Sequence, residues 1–292
     1  MKKNIFLLLL FSLPMRCFSQ ADLTATAAQD TICQGTSVGL LATGDTFDFY
    51  TWSPATWISN ISTPNPTVTP PTTTTYTVSG FFLGDNVIVN GDFSEGNTGF
   101  ATEYLHGPDT GGGPWGDLSD EGTYAITTNS NIVHSNFANC NDHTSGFGNM
   151  LVVNGSGVPN TEVWCQTVNV VANTSYEFST WVTSVVTDNP AALQFSINGN
   201  LLGGTFNAPL SGCIWEQFFE IWESDNNTSA EICIINQNVA VGGNDFALDD
   251  ISFAPAFETT DSITVYVSEI SAVVASEQPT GCDGTPGSAG VA

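Results

Sequence analysis

The stretch VWCQTVNVVANTSYEFSTWVTSVV, residues 163–186, decides the fold class. It holds two runs of largely alternating apolar and polar residues, rich in β-branched and aromatic side chains, broken by the turn-forming Ala172-Asn173-Thr174. A period of two places successive side chains on opposite faces of a pleated strand, so each run reads as a strand with one buried face. The reading extends outward to MLVVNG (150–155), LQFSING (193–199), WEQFFEIW (215–222), AEICIINQ (230–237) and FALDDISF (246–253). Clusters of Asn, Gly, Ser and Pro separate these runs, the pattern of layered all-β architectures. A sustained 3.6-residue apolar stripe is missing beyond the first twenty residues. The chain is therefore expected to be all-β.

The N-terminus reads differently. Lys2 and Lys3 precede the apolar run IFLLLLFSL (5–13), which is too short to span a bilayer stably, and MRCFSQ then leads into Ala21. This is the pattern of a secretory leader over residues 1–20, cleaved after Gln20. Leu13-Pro14-Met15-Arg16 suits poorly the run that lipid attachment at Cys17 requires. The protein is expected to be secreted or held at the cell surface, with no membrane insertion once the leader is removed.

Charge narrows the partners. The three basic residues, Lys2, Lys3 and Arg16, all lie in the leader, so 29 acidic residues remain against no Lys or Arg. Nothing is left to neutralise phosphates, which excludes nucleic acid and anionic lipid surfaces as direct partners. The carboxylates must be solvated, hydrogen-bonded or bound to cations. Six cysteines follow the leader: Cys33, Cys140, Cys165, Cys213, Cys233 and Cys282. In an exported chain some should form disulfides, but the sequence does not choose the pairing, and none has the close spacing of a zinc site.

Between residues 21 and 80, Cys33 with Gly35, Trp52-Ser53-Pro54, and the run from Thr73 to Val78 occur in order. As a set they resemble the immunoglobulin-like and PKD-like repeats of large Bacteroidetes surface proteins. The resemblance implies a small sandwich in which TICQGTSVGLLAT forms a strand pair and Trp52 packs in the core. The last strand of such a repeat is found only at Asp261–Val267 (DSITVYV), some 180 residues on, and the usual turn cysteine is missing, which leaves the partner of Cys33 open. A second domain inserted in the final hairpin accounts for the gap, because loop-closure entropy grows slowly with length.

That inserted region opens with NVIVNGDFSEGNTGF, carries DHTSGFGNMLVVNG and closes with NDFALDDISF. The three motifs resemble the galactose-binding-like jelly rolls, meaning carbohydrate-binding modules and the related MAM adhesion domains. The expected organisation is a leader (1–20), the first part of an immunoglobulin-like sandwich (21–83), a galactose-binding-like jelly roll (84–256), the last sandwich strand (257–270), and a linker with the start of another repeat of gliding-adhesin type (271–292). The tail suggests a truncated product or the front of a longer chain.

The resemblance implies a structural calcium ion tying the opening strand to the closing one. Its matching positions are Asp92 and Glu95 in NGDFSEG, Asp142 in DHT, and Asp249. The family's Glu directly after Phe is here Ser94, with Glu95 one place later. Two adjacent acids on a regular strand face opposite sides, so only one of Asp249 and Asp250 should reach an ion, and Asp249 is the choice. Solvated carboxylates at strand ends are the plain alternative. Sugar recognition needs an aromatic ring to stack on a pyranose, flanked by hydrogen-bonding side chains. Tyr104, Trp115 and Tyr124 in the loop-rich stretch are the candidates, whereas Trp164, Trp181, Trp215 and Trp222 read as core. His106, His134 and His143 lack a hydrolase scaffold around them, and no nucleophile elbow or phosphate-cradling loop is present. The expected function is non-catalytic adhesion or carbohydrate recognition, with an extracellular glycan or surface polymer as partner. The alternatives are a purely structural stalk segment, and an accessory module of a secreted enzyme.

Overall fold

A computed structural model describes residues 21–268. The leader expected over residues 1–20 and the tail expected over 271–292 lie outside them. The chain is all-β, and the described strands are β1 (Leu23–Ala27), β2 (Thr31–Cys33), β3 (Val38–Gly44), β4 (Phe49–Ser53), β5 (Thr67–Val68), β6 (Thr74–Leu83), β7 (Leu105–His106), β8 (Thr123–Thr127), β9 (Met150–Asn154), β10 (Thr161–Asn169), β11 (Ser175–Ser184), β12 (Ala192–Ile197), β13 (Asn200–Asn207), β14 (Glu216–Glu223), β15 (Ser229–Asn236) and β16 (Phe246–Ser268). The described helices are one 3-10 turn, Gly107–Asp109, and α1, Ser130–Val133. The chain divides into two compact units: residues up to Phe82 together with those from Glu258 onward, and Leu83–Phe257.

In the smaller unit, β1, β3 and β5 form an antiparallel sheet. The second layer joins β4 to β6, β6 to the last part of β16, and β16 to β2 in parallel. Ile32, Leu40, Trp52, Val68, Tyr76, Val78 and Val265 fill the space between. Trp52 is fully buried, and its indole N–H donates to the Thr63 carbonyl at 2.9 Å, so the ring's one polar group is satisfied. TICQGTSVGLLAT does not form the expected strand pair. Gly35, at φ +84°, turns the chain between layers, so β2 pairs with β16 while β3 pairs with β1 and β5. Hydroxyl pairs Thr75–Thr264 and Thr77–Ser262, each at 2.8 Å, bridge β6 and β16 on the exposed face.

The larger unit is a two-sheet sandwich. One sheet runs β10-β15-β12-β13, and the other β14-β11-β16-β9-β8-β7. Period-two alternation sends Phe178, Val182, Phe195, Phe218, Ile232, Ile234, Leu248 and Phe253 inward. Phe178, Phe195 and Phe218 stack across the layers, with centroids 3.9 and 4.0 Å apart. Each such side chain, fully buried, contributes roughly 1.5–3 kcal/mol. The hairpin β12–β13 turns at Asn198-Gly199, both at positive φ, the conformation that a two-residue turn on twisted strands demands.

The outer face of the second sheet is partly covered as well. Residues 107–140 fold across it and bury Leu118, Val133 and Phe137 against Ala125, Met150, Val152 and Ala247. A disulfide between Cys140 and Cys213 pins this cover, and a second links Cys165 to Cys233 across the β10–β15 ladder. Among the described residues, no helix is long and apolar enough to cross a membrane.

Candidate functional site

Three segments of the larger unit converge beyond the edge of that cover. The first is the opening turn Asn90–Thr98. Asn90 and Phe93 both take positive φ, and the Asn90 side chain ties the turn by accepting from Glu95 N–H and donating to the Gly96 and Thr98 carbonyls. Gly91 lies so close to β16 that a Cβ there would sit 2.1 Å from the Ile251 carbonyl oxygen, so glycine alone permits the approach. Phe93 is driven into the core, which leaves Asp92 and Ser94 outward.

The second segment is the 142–148 loop. The buried Asp142 carboxylate organises it, accepting from the Ser145 N–H and hydroxyl and from Gly148 N–H. The third is Asp249-Asp250 on β16. Here the ladder with β11 slips between Ser179 and Trp181, and Asp250 takes φ +48°. This bulge overturns the expectation that neighbouring acids face apart. Asp249 Oδ2 accepts from His143 N–H (2.8 Å) and from Thr144 N–H (3.1 Å) and hydroxyl (3.2 Å). Asp250 takes the Thr144 hydroxyl at 2.6 Å and lies 2.7 Å from His143 Nδ1. The His143 ring stacks on Trp181 at 3.9 Å and meets Trp215 edge-on at 5.8 Å. Burial and the neighbouring Asp250 charge push the Asp249 carboxyl up to about 6, although the N–H donors pull the other way.

Two adjoining cavities run along these segments and share Asp92. One, of about 310 Å³, is lined by Asp92, Ser94, Thr128, Asp142, Thr144 and Phe147 among others. The other, of about 350 Å³, is lined by Asn86, Asn90, Asp92, Asp250 and Ser252. Together they form an open groove of hydroxyl, amide and carboxylate groups. Phe147 stands at its rim, 88% exposed, between Gly146 and Gly148.

The sequence-expected aromatics take other places. Tyr104 is buried in the sandwich, and its hydroxyl accepts from Ser156 N–H and the Asn236 amide. Tyr124 is buried too, donating to Asn97 Oδ1. Neither presents a free ring face. Trp115 is 48% exposed on the 107–140 cover, near His134, but lines neither cavity. Phe147 was missed, and its flanking glycines in a polar loop were the available signal.

The expected calcium ligands do not gather. No three of the Asp92, Glu95, Asp142 and Asp249 carboxylates come within coordination reach of one another. Asp142 and Asp249 are filled by protein donors, and Glu95 is exposed. As placed, this set does not fit one calcium ion. The three-residue group that does converge among the described residues, Glu162 with Cys165 and Cys233, has both sulfurs committed to a disulfide.

No sequence-family profile matches the chain, and no curated protein does. Solved structures of similar shape include carbohydrate-binding modules of jelly-roll fold. The CBM22-1 xylan-binding domain from Paenibacillus barcinonensis Xyn10C is 15% identical, covering 63% of this chain and 97% of that one at a TM-score of 0.39. TmCBM61 in complex with β-1,4-galactotriose is 12% identical, covering 60% and 100% at 0.39. An apo form cyclase from Fischerella sp. is 11% identical, covering 61% and 97% at 0.42. At scores this low, and shared between binding modules and a cyclase, the likeness carries nothing about function.

Proposed function

We propose that residues 83–257 bind a neutral glycan without catalysis, outside the cell, and that the smaller unit is an immunoglobulin-like spacer interrupted by this module. The carrying observation is the groove around Asp92, with Phe147 projecting at its rim. An exposed aromatic face beside a row of Asn, Asp, Ser and Thr side chains is the chemistry that stacks on a sugar ring and hydrogen-bonds its hydroxyls. The groove contains Asp92, Asp142 and Asp250, and no Lys or Arg occurs beyond residue 16, so uronate and sulfate groups meet only repulsion there. Against catalysis, His143 and its two carboxylate partners are engaged in fastening the loop. Two disulfides support an oxidising, extracellular setting.

The test is a glycan array probed with the full chain, comparing neutral polysaccharides with uronate-containing ones. Binding to neutral glycans that Phe147→Ala removes is the expected result. A blank array from folded protein would favour the second reading, a purely structural stalk segment, which the uniformly acidic sequence also suits. Adhesion to a surface polymer is the biological form of the first reading.

A further inference from the structure

At another rim of the sandwich, where β9 and β16 end, the buried groups carry more acceptors than donors. Asp245 lies one residue before the Phe246–Val153 pair, opposite Asn154, so both side chains occupy the same sheet face. Asp245 is almost fully buried, and one of its oxygens accepts from Gly155 N–H at 3.0 Å. Asn154 gives its amide N–H to the Leu118 carbonyl, and Asn244 gives its own to the Ser156 and Asn238 carbonyls. Those donors fix both amide orientations. The Oδ1 atoms of Asn154 and Asn244 are consequently buried acceptors with no hydrogen-bond partner among the described residues. Asn244 folds directly over Gly155, where a Cβ would lie 2.5 Å from its amide nitrogen. The Asn244 amide and the Asp245 carboxylate therefore both lie beside Gly155.

An orphaned buried acceptor is costly, and here a buried carboxylate accompanies two of them. Burial is the first reason the Asp245 carboxyl is pushed up to about 7, and Glu121 adds to it while Gly155 N–H opposes it. No lysine or arginine occurs in the described residues to balance that charge. Hard oxygen donors, two neutral and one anionic, are what an oxygen-loving divalent cation takes up. We infer that this rim binds calcium, with Asp245, Asn154 and Asn244 as protein ligands and water completing the shell. The ion would tie the ends of β9 and β16 to the 237–244 loop. This site is separate from the groove at Asp92 and does not depend on glycan binding.

The experiment is thermal melting of the full chain, stripped with chelator and then titrated with calcium chloride at pH 8. A rise of roughly 5–10 °C is expected at calcium a hundredfold above Kd. The rise should disappear in Asp245→Asn and survive in Asp249→Asn, which separates this rim from the 142–148 loop. Asn154→Asp, which adds a second carboxylate, should melt lower in chelator and show a larger calcium-dependent rise. No rise in the unsubstituted chain, or a rise retained in Asp245→Asn, overturns the proposal. So does an Asp245→Asn protein that, at pH 8 and with saturating calcium, melts as high as the unsubstituted chain or higher; in chelator alone it should melt higher, since the substitution removes an unbalanced buried charge.

Discussion

The His143 ring lies flat on Trp181, 3.9 Å between centroids and 16° from parallel, while its Nδ1 sits 2.7 Å from Asp250. One side chain thus joins an aromatic contact and a charge-assisted hydrogen bond, and both fasten the 142–148 loop to the sheet. Replacing His143 or Asp250 with Ala should each destabilise the larger unit by about 1–3 kcal/mol. Because they share the contact, the double variant should lose less than the sum, with a coupling of about 0.5–3 kcal/mol in a urea-unfolding cycle.

Asp249 gives the protein an unusual response to acid. Its folded carboxyl, at about 6, titrates above the ordinary value of 3.8, so the native state takes up the proton first. This group's burial therefore opposes folding above pH 6, and its contribution becomes more favourable as the pH falls from 6 toward 4, levelling off below. Melting in chelator at pH 7.5 and pH 5 should show the protein gaining stability at the lower value. Asp249→Asn should reduce that gain, leaving the part that Asp245, raised to about 7, supplies.

Phe147 is exposed enough to be removed without structural cost. Phe147→Ala should leave the melting temperature unchanged within error yet weaken binding to any neutral glycan found on the array by about tenfold or more. Trp115→Ala, which alters a ring outside both cavities, should leave affinity for that same glycan intact in calorimetric titration.

The two disulfides of the larger unit close long loops, 73 residues for Cys140–Cys213 and 68 for Cys165–Cys233. Loop-closure entropy assigns each about 4 kcal/mol of stabilisation. Removing the first bridge by paired Cys→Ala substitution should lower stability and raise hydrogen exchange chiefly in residues 107–140, the segment it holds down. Removing the second should leave that segment protected.

The strands of the larger unit were legible because a half-buried sheet forces period-two alternation on its residues, and 163–186 carries it openly. The smaller unit was less so, because TICQGTSVGLLAT contains two good strands and nothing local to assign them to different layers. Tyr104 and Tyr124 were misplaced as candidates because a tyrosine satisfies burial and polarity at once. Its sequence neighbourhood does not reveal whether Ser156, Asn236 or Asn97 will meet its hydroxyl. Asp249 is expected from the sequence as a calcium ligand, whereas in the structure it accepts from His143 and Thr144 of the 142–148 loop; strict alternation hid its neighbour, since a bulge leaves no mark in a strand of ordinary composition.

That bulge has a consequence for how the site could change. Two anchors of the 142–148 loop, at the His143 ring and the Thr144 hydroxyl, rest on one surplus residue in β16, so deleting Asp250 would not trim the wall of the groove by one contact. It would restore the ladder to even pairing with β11 and remove the partner of the His143 ring along with the second acceptor for Thr144 in the same stroke. Point substitutions in this protein can tune the groove gradually, but a change of strand length at position 250 would open or close it as a whole.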